Sequence, residues 1–169
     1  MELLIGAGKN WDKKVTFDGI PSGWTELITL DIDEDTGCSV VHDLESLPMP
    51  FDDDMFDEIH AYEILEHTGM QGDWRFFFNQ FYEFWRILKP RGYFCATCPK
   101  WDSKWAWGDP GHKRIISPES LVFLSQKEYE VQIGTTSMTD YRPYWEGDFN
   151  LIAMTEMDEQ VGFVIQAVK

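Results

Sequence analysis

Leu3-Leu4-Ile5 is a short apolar run closed by glycines, the pattern of a strand buried on both faces of a parallel sheet. Similar runs recur at Leu27–Ile32, Ser39–His42, Phe56–Ala61 and Tyr93–Thr97. Asn150–Met157 and Val161–Val168 read as two strands joined by a tight turn at Asp158-Glu159-Gln160. The period changes between Asp73 and Leu88. There Trp74, Phe77, Phe78, Phe81, Trp85 and Leu88 fall on one helical face. Asp73 suits the N-cap, and Lys89-Pro90-Arg91-Gly92 stops the helix. A second helix is expected from Ser117, with Pro118 at its first position and Leu121, Val122 and Leu124 along it. Strands separated by helices and loops predict an α/β sheet closed by a C-terminal β-hairpin.

The early connections are poor in helix. Lys9 to Glu26 contains Gly19, Pro21 and Gly23, leaving room for at most a short helix near Trp11 to Val15. Asp43 to Met55 holds Pro48 and Pro50 and reads as a loop. Long irregular loops in a compact domain are either functional or covers for the sheet.

Composition narrows the class. At 169 residues, with 43% hydrophobic and 15% aromatic positions, the chain can bury a core of one domain. The formal charge of -16, from 30 acidic and 14 basic residues, opposes nucleic acid and anionic lipid. The basic residues Lys9, Lys13, Lys14, Lys100, Lys104, Lys113 and Arg114 are read as ordinary solvated charges. No apolar run has the length of a membrane span, and no basic leader precedes Leu3, so a cytoplasmic location is expected. Cys95 and Cys98 have redox or zinc-ligand spacing, but on a strand residues three apart face opposite ways. They read, with Cys38, as reduced thiols, the pair being buried in the core. Asp52-Asp53-Asp54 reads as a solvated loop, and no metal site is expected.

Gly6-Ala7-Gly8 follows the first strand directly, where glycines let the backbone turn sharply and approach a ligand. Asp31 closes the second strand, where a carboxylate can accept from both ribose hydroxyls. A tight turn beside a solvated acid is the competing reading. A dinucleotide needs a third glycine and a long helix N-terminus for its pyrophosphate. Trp11 stands at that glycine's position. A phosphate-free adenosine cofactor such as S-adenosylmethionine loses nothing by this.

The ordered segments LLIGAG, LDI, HDL with LPMPF, FDEI, ILEH and RILKPRG, over roughly the first 100 residues, resemble class I S-adenosylmethionine-dependent methyltransferases of the small type. The resemblance implies one methyltransferase-like domain over 1–169, with a Rossmann-like seven-stranded mixed sheet in the order 3-2-1-4-5-7-6. It places Gly6, Ala7 and Gly8 under the methionine part of S-adenosyl-L-methionine. Asp31 would hold the ribose and Ile32 would lie on the adenine. Asp43 would accept from the adenine amino group, with the Leu44 amide facing the ring. Ala61 and Tyr62 would border the methionine amino group and the methyl. The family often has an acid two residues before the first glycine; here that residue is Leu4.

Methyl transfer rests largely on placement, with a base where the acceptor must lose a proton. His67, His112 and Tyr62 are the catalytic candidates. His112, in a turn-rich loop, is equally readable as a surface histidine; His42 and His60 read as structural. Trp101, Trp105, Trp107, Tyr141, Tyr144 and Trp145 crowd the segments 101–114 and 135–149. They fit a stacking surface for an acceptor, core plugs, or a partner or homo-oligomer interface equally. The expected function is methyl transfer to a small-molecule acceptor. The alternative is a non-catalytic cofactor- or partner-binding module on the same fold.

Overall fold

In a computed structural model that describes residues 1–17 and 20–169, seven strands form one mixed sheet. They are β1 (Glu2–Ile5), β2 (Leu27–Asp31), β3 (Val40–Val41), β4 (Phe56–Tyr62), β5 (Leu88–Pro99), β6 (Phe149–Glu156) and β7 (Gln160–Ala167). Their order is β3-β2-β1-β4-β5-β7-β6, as expected. β1 to β5 run parallel, β7 lies antiparallel to β5, and β6 antiparallel to β7. This is the Rossmann-like sheet with its C-terminal hairpin.

The helices are α1 (Trp74–Ile87), α2 (Lys104–Gly108), α3 (Pro118–Val122) and α4 (Gln126–Gln132). α1 buries Phe78, Phe81, Phe84 and Ile87 against one face of the sheet, with Leu3, Ile59 and Phe94 in the same cluster. Asp73 caps it, accepting from the Phe76 amide at 3.1 Å. Asp73→Ala should cost about 1 kcal/mol, read as a fall in the thermal midpoint of roughly 2–4 °C. An unchanged midpoint would remove the cap from the account.

α1 ends at Ile87, and the chain turns at once into β5. The expected stop at Lys89–Gly92 lies inside β5 as a bulge: Leu88 pairs with Phe56 and Tyr93 with Glu58, and Arg91 takes a φ of 67°. The second helix is shorter than the pattern predicts. α3 keeps Leu121 and Val122, and Leu124 lies beyond its end. α2 and α4 were not foreseen.

The other face of the sheet has an irregular cover. Among the described residues of Lys9–Glu26 there is no helix, within the expected limit of at most a short one near Trp11–Val15. The Lys14 and Val15 amides donate instead to the Tyr62 hydroxyl at 3.1 and 3.2 Å. Gly19 lies outside the described residues. Val15, Phe17 and Trp24 pack over Leu4, Ala7, Tyr62, Cys95 and Val164. Cys98 joins the α1-side cluster, so the two cysteines of β5 do face opposite ways.

Candidate functional site

A cleft of about 230 Å³ opens at the carboxyl ends of β1 and β2, where ligands bind in such sheets. Gly6, Asp31, Ile32, Asp43, Leu44 and His67 line it. Gly6 has a φ of +58°, and a Cβ there would stand 2.4 Å from Ile64, so the turn requires glycine. Gly8 has a φ of +51°, with nothing within 4 Å of the position a Cβ would take. Its amide donates to Asp31 Oδ2 at 2.8 Å, and the Asp33 amide donates to Asp31 Oδ1 at 2.9 Å. The carboxylate is thus fixed by backbone, with lone pairs left on each oxygen for hydroxyl donors. Ile32 beside it is 67% exposed, an apolar side chain left for a flat ring to cover.

Sequence reasoning missed Glu45, Ile64 and Lys113, which also line the cleft. Glu45 accepts from Lys113 Nζ at 2.7 Å and from the Gly69 amide at 2.8 Å. The Lys113 contact, with the Gly69 amide, holds its pKa below the usual carboxylate range. Lys113 is far away in sequence, so its role had no local signal.

The Ala61 and Tyr62 side chains are both buried. The Ala61 methyl is fully buried in the α1-side core. Tyr62 points to the opposite face, beneath Lys14 and Val15. Its oxygen accepts both of those amides, and its hydroxyl reaches His60 Nδ1 at 2.6 Å. Burial raises its pKa to about 12. A phenol so engaged is not free to act as a base. His60 Nε2 in turn meets Glu58 Oε2 at 2.8 Å, and Lys13 Nζ meets the same oxygen at 2.6 Å. One proton arrangement satisfies the chain: Nε2–H donates to Glu58 and Nδ1 accepts from Tyr62. Burial lowers the His60 pKa, in keeping with a neutral ring. Burial opposes the Glu58 charge, but His60 and Lys13 outweigh it and hold its pKa low.

Lys13 and Arg114 are not the solvated charges their sequence context suggests. The Lys13 side chain is 1% exposed. Arg114 is 3% exposed and donates to Leu65 O at 2.9 Å, Thr68 Oγ1 at 3.0 Å and Gln80 Oε1. Burial lowers its pKa to about 10. It ties the loop after β5 to the turn after β4.

That tie brings the two remaining catalytic candidates together. His67 lines the cleft, and the His112 ring stands with its centroid 4.7 Å from that of His67. His112 lines the adjoining cleft with Glu63, Asp109 and Trp105. Beside both rings stands Glu66, 2% exposed, its pKa raised to about 8 by burial. Burial also raises the Cys95 and Cys98 thiols, so neither is a reactive thiolate.

The aromatic segments divide. Trp145 is 1% exposed, and Tyr141 packs on Trp74 and Phe78, so both are core plugs. Tyr144 donates to Asn79 Oδ1 on α1 at 2.7 Å. Trp101, Trp105 and Trp107 stay exposed.

No family model matches the sequence, and no curated protein does. Solved structures do match. A SAM-dependent methyltransferase from Archaeoglobus fulgidus aligns with a TM-score of 0.59 at 17% identity, over 98% of this chain and 85% of that one. A complex between a Haloferax volcanii methyltransferase activator and a methyltransferase gives 0.59 at 15%, over 99% and 82%. The [4+2]-cyclase SpnF gives 0.58 at 13%, over 99% and 75%. These likenesses establish the class I methyltransferase fold for this chain. The cyclase marks how far activity can depart from it.

Proposed function

We propose that this chain is an S-adenosyl-L-methionine-dependent methyltransferase acting on a small-molecule acceptor. The observation that carries the reading is the convergence of the Gly6 turn, Asp31, Ile32, Asp43 and Leu44 on one cleft at the strand ends. The residues suit the cofactor's parts: a fixed carboxylate for ribose, exposed Ile32 for adenine, and open space above Gly8. When bound, the cofactor supplies an already activated sulfonium methyl. The chain's own part is to hold and orient, and His67 or His112 would take a proton from an acceptor that must lose one. The Ala7 methyl, between the two glycines, is buried with Leu4 and Tyr62, which leaves its backbone to face the methionine part.

The charge of -16 argues against a nucleic-acid acceptor, and no described helix is long and apolar enough to cross a membrane. The three cysteines are unpaired, which agrees with a reducing, cytoplasmic setting. Exposed Trp101 and Trp107 leave room for a protein partner or a second copy. The non-catalytic reading draws on Leu4, which is buried under Val15 and Trp24 and offers nothing to an amino group.

Calorimetry with S-adenosylmethionine and S-adenosylhomocysteine tests the proposal. Saturable binding of both is expected. If a folded sample binds neither, the methyltransferase reading is lost. Transfer of labelled methyl to any member of an acceptor library would eliminate the non-catalytic module.

A further inference from the structure

Glu66 is buried without a partner. It is 2% exposed, and neither carboxylate oxygen has a hydrogen bond. Isolated buried carboxylates are costly, and native chains pair them or give them a metal. The acidic neighbours of Glu66 add to that cost. Glu63 is adjacent with its own Oε1 buried and unpartnered, and Asp109 adds a further negative charge. Arg114 directs its Nε and Nη2 donors to Leu65, Thr68 and Gln80 rather than to Glu66.

Two imidazoles face this carboxylate. One ligand atom each from Glu66, His67 and His112 lies within 4.8 Å of the others. His67 Nδ1 is 3.2 Å from Gly111 O, and His112 Nδ1 is 3.3 Å from Ala106 O. A ring that donates Nδ1–H to a carbonyl carries its free lone pair on Nε2. Carbonyl-held rings of this kind are the usual second layer of a metal site, fixing tautomer and orientation. The backbone holds the set in register: the Lys113 and Arg114 amides both donate to Glu66 O, at 2.8 and 3.3 Å.

We propose that Glu66, His67 and His112 form a binding site for a divalent transition-metal ion of the zinc type. Two imidazoles and one carboxylate suit such an ion and leave a coordination position open. That position would face the junction of the cofactor cleft, which His67 lines, and the second cleft, which His112 lines. On the methyltransferase reading, which this consequence rests on, the bound ion would occupy both imidazole lone pairs and so replace a histidine base, anchoring and acidifying an oxygen or nitrogen of the acceptor beside the methyl donor. Metal binding itself needs neither cofactor nor acceptor.

The experiment uses the full chain, stripped with a chelator and dialysed. Zn²⁺ is titrated by calorimetry and Co²⁺ by visible absorption. One equivalent should bind, with Co²⁺ giving the intense visible bands of a low-coordinate site. Glu66→Gln and His112→Ala, each checked for a native circular dichroism spectrum, should weaken binding by roughly tenfold or more. Should Glu66→Gln fail to fold, His112→Ala, nearer the surface, carries the test. Absence of saturable binding by the folded parent overturns the proposal, as does unchanged affinity in a folded variant. Methyl transfer is not read, so failure of the functional proposal would leave this result standing.

Discussion

Asp31→Ala should weaken S-adenosylmethionine binding by roughly 10–100-fold, the loss of one to two charge-assisted hydrogen bonds of about 1.5–3 kcal/mol each, partly compensated by water. The expectation follows from how the carboxylate is held. Each oxygen already accepts one backbone amide, from Gly8 and from Asp33, so its orientation is set before any ligand arrives. Such preorganisation reduces the ordering cost of binding. The alanine also releases the Gly8 amide, so the turn itself loses an anchor. Asp31→Asn separates the two effects. Its amide oxygen can still accept from Gly8, but it has lost the charge and an acceptor. It should fall between the parent and the alanine in calorimetry. Equal affinities for all three proteins would refute the ribose contact.

The half of the site that sequence reading reached is the half built from local strings. Gly6, Asp31, Ile32, Asp43 and Leu44 sit at strand ends, and the strand pattern itself delivers them to one edge of the sheet. The partners of Tyr62 were not legible in this way. Successive residues of a strand face opposite ways, and Tyr62 turns to the face away from α1, where the Lys14 and Val15 amides engage its hydroxyl. The cover over Tyr62 has no period, and nothing in Lys9–Glu26 announces which strand residue its amides will meet. The same limit hid the Glu66, His67 and His112 cluster. Two of its members are neighbours in sequence, but the third arrives on a loop held by Arg114. The α/β class and the C-terminal hairpin were legible in the apolar runs and turn residues, which survive the loss of early helices, whereas the strand order came with the resemblance carried by the ordered segments.

The same irregular cover leads to the largest stability effect expected. Glu58→Ala should destabilise the protein by about 3–5 kcal/mol, the usual cost of removing one partner of a buried ion pair. Lys13 would be left with its ammonium under the cover, the Trp24 ring lying 5.0 Å away. His60 would lose the acceptor for its Nε2–H, since among the described residues no other partner reaches that nitrogen in the parent. The loss should spread to the fold's edge. Tyr62 positions the Lys14 and Val15 amides through its contact with His60, and a helix does not stand behind them. A fall in the thermal midpoint on the order of 10 °C is expected, at roughly 2–4 °C per kcal/mol for a domain of this size. The decisive comparison is with the double substitution Lys13→Met with Glu58→Gln. It removes both charges and keeps an acceptor for His60, so most of the lost stability should return. If Glu58→Ala alone costs less than about 1 kcal/mol in urea unfolding, the pair is screened by solvent and the cover is held by Val15, Phe17 and Trp24 alone. If the double variant is no better than Glu58→Ala, the deficit lies in packing around Glu58 rather than in the stranded charge of Lys13.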